Sequence, residues 1–353
     1  MEYVGPKSTR SVRSDRRQYE RPRFATTELK RQLSYFDAVA PNRMTFKGVP
    51  HRFAERVANF APAIASHAER YFKRGGSNAI TWHRHANHML SSQACCLNFL
   101  MPLAEDPSRL SALVGQALKI DPPEMLEVEL GPEGRPWFMG FEWIGRKDYL
   151  NEAGRAGTIQ RGANCTSADA FTRFKTAGRI EGLLVEWKYT ESYGAPLRDG
   201  SRILDGQSEP SGGHVTRRAR YNDLMFAPNG PLKADLGLSL DDFFYEPFYQ
   251  LLRQQMLAYQ MEKNGEADVV RVLHISPSGN RKLHAITSPK FAGLGATDAF
   301  EFFRSLLDRS DRFVSRTTEA LFGNLLADAP AGDPWAAYIT QRYAFVNGIH
   351  PSG

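Results

Sequence analysis

The sequence predicts a mixed α/β fold, and three segments carry that prediction. Leu183-Leu184-Val185-Glu186-Trp187-Lys188-Tyr189 is an apolar and aromatic run of strand composition. Val269-Val270-Arg271-Val272-Leu273-His274-Ile275 is a second such run. Between them, Leu240 to about Lys263 carries Phe244, Phe248, Leu251, Leu252, Gln255 and Tyr259 along one side, the spacing of a helix. Strand, crossover helix, strand implies a parallel pairing and hence a mixed sheet.

The other elements follow in order. Residues 1–45 are polar and basic, with Arg10, Arg13, Arg16, Arg17, Arg21 and Arg23 crowded near the start; the expectation is a flexible arm. Phe53, Val57, Phe60, Ile64 and Ala68 recur at helical spacing, with Pro62 placed to kink or split the helix. Leu90–Leu103 reads as a compact apolar helix with Ser91 or Ser92 at its N-cap. Met125–Leu130 alternates apolar and acidic residues, as a half-buried strand does, and Trp137–Trp143 reads as another strand. The Asp169 segment, a turn through Thr176-Ala177-Gly178 and the Glu186 segment complete the run of strands. A Gly/Ser/Pro-rich loop spans 199–220 and ends in Arg217, Arg218 and Arg220. Residues from Asp298 to about Leu326 read as amphipathic helix. The expected organisation is therefore an arm at 1–45, an α/β domain at 46–290 and a helical extension at 291–353.

The chemistry concentrates at Asp169, Glu186 and Lys188. In a strand, Glu186, Lys188 and Thr190 share one face while Val185, Trp187 and Tyr189 share the other. A carboxylate and an ammonium thus emerge together from an apolar strand, which costs energy unless they are paired or bind something. Two carboxylates suit a hard cation such as Mg²⁺, and a lysine beside them suits the orientation of a water or the offset of developing charge. Asp15 with Glu28-Leu29-Lys30 repeats the bare pattern without an apolar strand, so the strand context carries the weight. The plainer reading of Glu186 and Lys188 is a salt bridge on a half-exposed sheet.

This arrangement resembles the D…E-x-K core of the PD-(D/E)XK nuclease superfamily. Ser91-Ser92-Gln93, Thr166–Ala170 and Glu186–Glu191 resemble a bacterial family assigned as restriction endonucleases, over roughly residues 80–275. Ala168 stands where the superfamily usually has proline. The resemblance implies a restriction-endonuclease-like αβββαβ core, with Asp169 and Glu186 as metal ligands and Lys188 as the catalytic lysine. Mg²⁺, with Mn²⁺ in its place, is the implied cofactor and DNA the implied substrate. A restriction or defence role, with a methyltransferase or another defence protein as partner, is implied in the same way. Double-strand cutting commonly needs two active sites, so a homodimer is a reasonable expectation. Repair, recombination or RNA cleavage on the same fold, and a non-catalytic nucleic-acid-binding module, are the alternatives.

Further candidates surround this core. Glu142 offers a third carboxylate and Gln93 a contact to a metal-bound water or a phosphate. Gln250 and Arg253 share a helical face, where Arg253 could clamp a phosphate. Gln255 and Tyr259 form a Q-x-x-x-Y pattern that lies on the apolar stripe and reads as core packing. Arg217, Arg218 and Arg220 are the nucleic-acid-binding candidates. His83, His85 and His88 have a spacing that suits neither one strand face nor one helix face, so they read as a helix start or a nucleic-acid-facing segment rather than a zinc site.

Composition bounds these readings. The chain has 353 residues, a formal net charge of +6 and 42% hydrophobic residues, enough for a substantial core and suited to a polyanionic partner. Three cysteines, Cys95, Cys96 and Cys165, make no disulfide framework and fit a reducing cytoplasm. No run of eighteen apolar residues suggests a membrane helix, and the start lacks the apolar region of a secretory signal. Walker A, G-x-S-x-G and strand-linked G-x-G-x-x-G motifs are missing from the sequence, which argues against an NTP-driven motor and a serine hydrolase.

Overall fold

The computed structural model describes residues 23–73, 80–153, 159–163, 165–194, 196–197 and 216–348, with the backbone alone at 203–204, 207–208 and 213–215. The first part of the expected arm, Arg10 through Arg21, lies outside these residues. From Arg23 the chain is helical: α1 spans Arg23–Val39 and buries Ala25, Glu28, Gln32 and Phe36. The expectation of a flexible segment reaching residue 45 is corrected here. The polar residues that suggested a loose arm are used as buried hydrogen-bonding groups, Glu28 accepting from Tyr189 Oη at 2.9 Å and Gln32 from Arg342 Nε at 2.9 Å.

The next helices are α2 (Pro62–Phe72), α3 (Ser92–Leu100) and α4 (Pro107–Leu118). Pro62 opens α2 instead of kinking a longer helix, since a first-turn N–H needs no acceptor. Ser91 caps α3 by accepting from Ala94 N. Four strands follow: β1 (Glu124–Leu126), β2 (Glu129–Leu130), β3 (Pro136–Trp137) and β4 (Met139–Trp143). The expected Met125–Leu130 strand is thus split, β1 joining the central sheet while β2 pairs with β3 in a small ribbon.

The long strands β5 (Ala168–Thr176) and β6 (Arg179–Trp187) form a hairpin closed by Ala177 and Gly178. Both turn residues have positive φ, 48° and 75°, the two-residue geometry that matches strand twist. Short strands β7 (Ile203–Leu204) and β8 (Gln207–Ser208) pair with each other. Helix α5 covers Gly213–Met225, so Arg217, Arg218 and Arg220 sit on a helix and not at a loop end. Helix α6 (Phe248–Lys263) begins after a cis Glu246–Pro247 bond, which separates it from a 3₁₀ turn at Leu240–Phe243. Strand β9 (Val269–Ser276), helices α7 (Pro289–Gly293) and α8 (Ala299–Leu306), strand β10 (Phe313–Thr317), and helices α9 (Thr318–Ala327) and α10 (Pro334–Arg342) complete the chain.

The fold is mixed α/β. The six-stranded sheet runs β1-β5-β6-β9-β10, with β4 also on β5. β4, β5 and β6 are successively antiparallel, while β6–β9 and β9–β10 are parallel. This is the expected αβββαβ core with β1 and β10 added. Helices cover both faces. Val185, Trp187, Leu273 and Ile275 pack towards α2, α3, α4, α9 and α10, while Phe171, Leu184, Val270 and Val272 pack towards α5, α6, α7 and α8. Among the described residues no helix is long and apolar enough to cross a membrane.

The C-terminal segment is integral to this core. The stretch read as continuous helix contains β10, which extends the sheet through Phe313↔Val272 to Thr317↔Ser276. Sequence periodicity passed over a five-residue strand flanked by helices on both sides. Arg342 is buried and donates to Asn59 O at 2.7 Å, Tyr338 Oη at 2.6 Å and Gln32 Oε1 at 2.9 Å, tying α10 to α1. Phe313, Leu321, Phe322, Trp335, Ile339, Tyr343 and Phe345 are all buried. At about 1.5–3 kcal/mol for each such side chain, their loss approaches the whole stability of a domain, about 5–15 kcal/mol. Truncation before Ser310 is therefore expected to abolish cooperative thermal unfolding measured by circular dichroism. A truncated protein that melts cooperatively would make the segment a dispensable extension.

Candidate active site

The hairpin turn sets the geometry of the site. Its ladder runs from Thr176↔Arg179 to Ala170↔Val185, and the next step places Asp169 opposite Glu186. On the other side of β5, the pairs Phe141↔Ala170 and Trp143↔Ala168 bracket Glu142 against Asp169. The parallel registers continue the row, with Glu186 beside His274 and His274 beside Ser315. A polar row thus crosses the sheet at the carboxyl ends of β6, β9 and β10, where open α/β sheets bind ligands.

Each carboxylate is held by named donors. Asp169 Oδ2 accepts from Trp187 N at 2.7 Å, which locks it to the end of β6. Glu186 is buried, forms an ion pair with Lys188 and accepts a hydrogen bond from Gln254 Nε2 on α6. Gln93 on α3 donates from Nε2 to Glu142 Oε1 at 2.6 Å and accepts from His83 N at 3.1 Å. His83 Nε2 also lies 3.3 Å from Glu142 Oε1.

Glu142 has a left-handed backbone, φ 51°, which is costly for a residue with a side chain. A buried network holds it there. Arg161 donates from Nε to Phe141 O at 3.0 Å and to Glu142 O at 3.3 Å, and from Nη1 to Glu129 Oε2 at 2.9 Å. Tyr71 Oη accepts from Phe141 N at 2.8 Å and from Arg161 Nη2 at 2.6 Å.

The electrostatics follow from this crowding. Burial and the nearby charges of Glu186 and Glu142 hold the Asp169 carboxyl well above its usual range, despite Lys188 and His83. Burial opposes the charge on Lys188, but Glu186, Tyr193 and Asp169 outweigh it and keep the ammonium protonated. At His83 burial is likewise outweighed, here by Glu142 and Asp169, and the imidazolium is pushed up to about 8. Burial and Lys188 keep His274 neutral; its ring stacks on Phe300 and its Nδ1 meets Ser315 Oγ at 3.1 Å. Among the described residues no group of three or more His, Cys, Asp and Glu side chains could hold a metal ion by itself. Asp169 and Glu186 are instead a pair of oxygen donors, the number Mg²⁺ commonly takes from protein while keeping waters and substrate oxygens. A cation held there would relieve the repulsion between the half-buried Asp169 and the buried Glu186.

The structure therefore brings together Asp169, Glu186, Lys188, Glu142 and Gln93. Among the described residues the hydrogen bonds and ion pairs of the other candidates run elsewhere, although Glu246 feels the charges of Arg253, Lys188 and Glu186 alike. Gln250 donates its backbone N–H to Glu246 Oε2 at 3.1 Å. Arg253 is engaged inside a network, at 3.0 Å from Thr166 Oγ1 and 3.8 Å from Glu152 Oε1, over the Tyr249 ring. Arg218 is paired with Asp241 at 2.8 and 2.6 Å, and Arg217 lies over the Phe244 and Tyr249 rings. Arg220 is half-buried on the same helix. Gln255 and Tyr259 serve packing, donating to Arg312 O and Pro228 O. The second Glu-x-Lys, at Glu28 and Lys30, lies on α1 with Glu28 buried and Lys30 exposed, so a helix turns the pair apart.

Gln254 and His274 are residues of the site that the sequence did not single out. Gln254 sits three residues from both Leu251 and Leu257, on the buried side of α6; a polar side chain within an apolar stripe was the signal. His274 interrupts the apolar run of β9, and only the parallel register shows that it neighbours Glu186.

A 92-residue stretch, 26% of this chain, is 28% identical to a protein of Fragaria ananassa named as a UDP-glucose glucosyltransferase, and it spans 18% of that protein's length. No solved structure matches. The model of the family described as Restriction Endonuclease associating with ARP matches residues 12–344. The chain belongs to that restriction endonuclease family, a family of nucleases.

Proposed function

We propose that the chain is a Mg²⁺-dependent endodeoxyribonuclease serving restriction or defence, with Mn²⁺ able to substitute. The observation that carries this reading is the register that sets Asp169 opposite Glu186, with Lys188 paired to Glu186, in a chain of a restriction endonuclease family. Asp169 and Glu186 would hold the metal, with Glu142 as a further oxygen donor at its edge. The bound ion would lower the pKa of a water and offset charge on the phosphoryl oxygens. Lys188, held protonated, donates hydrogen bonds to the water or the phosphate and does not act as a base. Gln254 and the Trp187 N–H keep Glu186 and Asp169 oriented. A homodimer would supply a second site for the second strand. The family's description points to ARP as an associated partner, and a methyltransferase or another defence protein suits the same role.

Lys188→Ala is expected to cut plasmid DNA about 10²–10³-fold more slowly, with wild-type cutting lost in EDTA and restored by Mg²⁺ or Mn²⁺. Cutting by wild type in EDTA, or unchanged cutting by Lys188→Ala, would sink the mechanism. Cutting of RNA alone would retain the site and reject the substrate.

Gln254→Ala is expected to weaken metal affinity or turnover about 10–100-fold, read by Mg²⁺ titration of the cleavage rate.

Asp169 makes a prediction that needs no turnover. Its raised folded-state pKa means the carboxyl favours folding when protonated, and that contribution disappears as pH rises through the raised value. Asp169→Asn keeps the acceptor for Trp187 N and removes the repelled charge. It should stabilise the metal-free protein by about 1 kcal/mol at neutral pH and remove the Tm increase that Mg²⁺ gives wild type. A Tm increase by Mg²⁺ that persists in Asp169→Asn would place the ion elsewhere.

A further inference from the structure

On α5, Arg218 is paired with Asp241 and Arg217 lies over aromatic rings, whereas a second set of cations beside the candidate centre lacks carboxylate partners among the described residues. Two adjoining hollows, of about 680 and 400 Å³, share His83, Arg84 and Arg52 in their walls. Ser92, Thr190 and Glu191 line the first, and Arg56 with Glu55 lines the second. Among the described residues none of Arg52, Arg56 and Arg84 has a carboxylate within 4 Å, in contrast to Arg218 with Asp241 at 2.6 Å. Arg52 Nη2 meets His85 Nδ1 at 3.1 Å. Slight burial and the field of Arg52 and Arg84 lower the affinity of His85 for a proton. Arg56 lies over the Trp82 ring, 5.3 Å from its centroid, which fixes its direction without neutralising it.

The three histidines that a zinc reading would group have separate partners here. His83 faces Glu142, His85 faces Arg52, and His88 Nδ1 accepts from Leu90 N at 2.9 Å. They form one wall of a basic groove. The groove opens onto the candidate centre at two points: His83 touches Glu142, and Ser92 Oγ donates to Trp187 O, between Glu186 and Lys188, at 3.0 Å.

We propose that this groove, with Arg52, Arg56 and Arg84 as its phosphate contacts, is the track along which duplex DNA reaches the centre. The assignment rests on the nuclease reading above. Guanidinium groups without a carboxylate partner are what phosphate oxygens engage in a groove, and each such contact adds to the salt dependence of binding. The site carboxylates would repel a polyanion on their own, so cations on their flank are also an electrostatic requirement for substrate approach.

The test uses the full chain carrying Lys188→Ala, so that bound DNA is not cut. A short labelled duplex is titrated in Mg²⁺ over a salt series and read by fluorescence anisotropy. The doubly changed Arg52→Glu/Arg84→Glu protein should bind about tenfold or more weakly, with a salt slope shallower by about two. Arg217→Glu/Arg220→Glu should match the parent. Unchanged duplex binding in the groove protein, with the parent binding well, would overturn the groove and leave the nuclease reading intact. Loss of binding in the α5 protein alone would also overturn it. A parent that binds neither duplex nor single-stranded DNA or RNA would overturn both. If only RNA binding responds to the groove changes, the duplex assignment is overturned. Arg52→Gln/Arg84→Gln, checked by its Tm, replaces the glutamate pair if that pair fails to fold.

Discussion

The structure depends most on one two-residue turn. Ala177 and Gly178 close the β5–β6 hairpin with positive φ at both positions, and loop length together with turn type sets the register of every pair behind it. Seven residues up each strand, that register puts Asp169 against Glu186. A slip of one residue would turn one carboxylate into the apolar layer formed by Trp187, Val185 and α3. On the other side of β6, the parallel register with β9 leaves Lys188 N bonded to Ile275 O at 2.8 Å, continuing the ladder past the end of β6. Lysine and carboxylates are thus placed by backbone hydrogen bonds and not by their own flexible stems.

Such a row of ionisable groups works against folding, and much of its surroundings offsets that cost. Burying a carboxylate beside other carboxylates costs several kcal/mol unless partners satisfy it. Gln254, Lys188 and the Trp187 N–H supply partners for Glu186 and Asp169. Around Glu142, the Arg161–Tyr71–Glu129 network does something different: it holds two carbonyls and an N–H of β4 so that a strained residue keeps its direction. Strain that survives at such a point is maintained by over-determined contacts.

The arginines differ in the same way in what their charge meets. Arg342, Arg161 and Arg253 are spent inside the fold on carbonyls, carboxylates and rings. Arg218 is spent on Asp241 at the surface. Arg52, Arg56 and Arg84 flank the polar row with their charge directed into a groove. Net charge of +6 says nothing of this distribution; only the partners of each guanidinium do.

Much was nonetheless legible in the chain. Alternation along Val185–Tyr189 separated Trp187 and Tyr189 from Glu186 and Lys188, because a strand has a period of two whatever it packs against. The crossover helix and the strand at Val269–Ile275 implied the parallel pairing, and apolar composition marked both sheet faces. Local sequence could not reveal β10, since five residues between two helices carry too little periodicity, nor the burial of α1, whose polar residues bond to Tyr189 and Arg342 across the chain. Gln254 and His274 became neighbours of Glu186 only through helix packing and parallel register. Residue type and period are local properties, so the sequence alone determined which side chains leave each strand together. Which strands and helices meet depends on contacts hundreds of residues apart, so the tertiary structure alone decided what those side chains face.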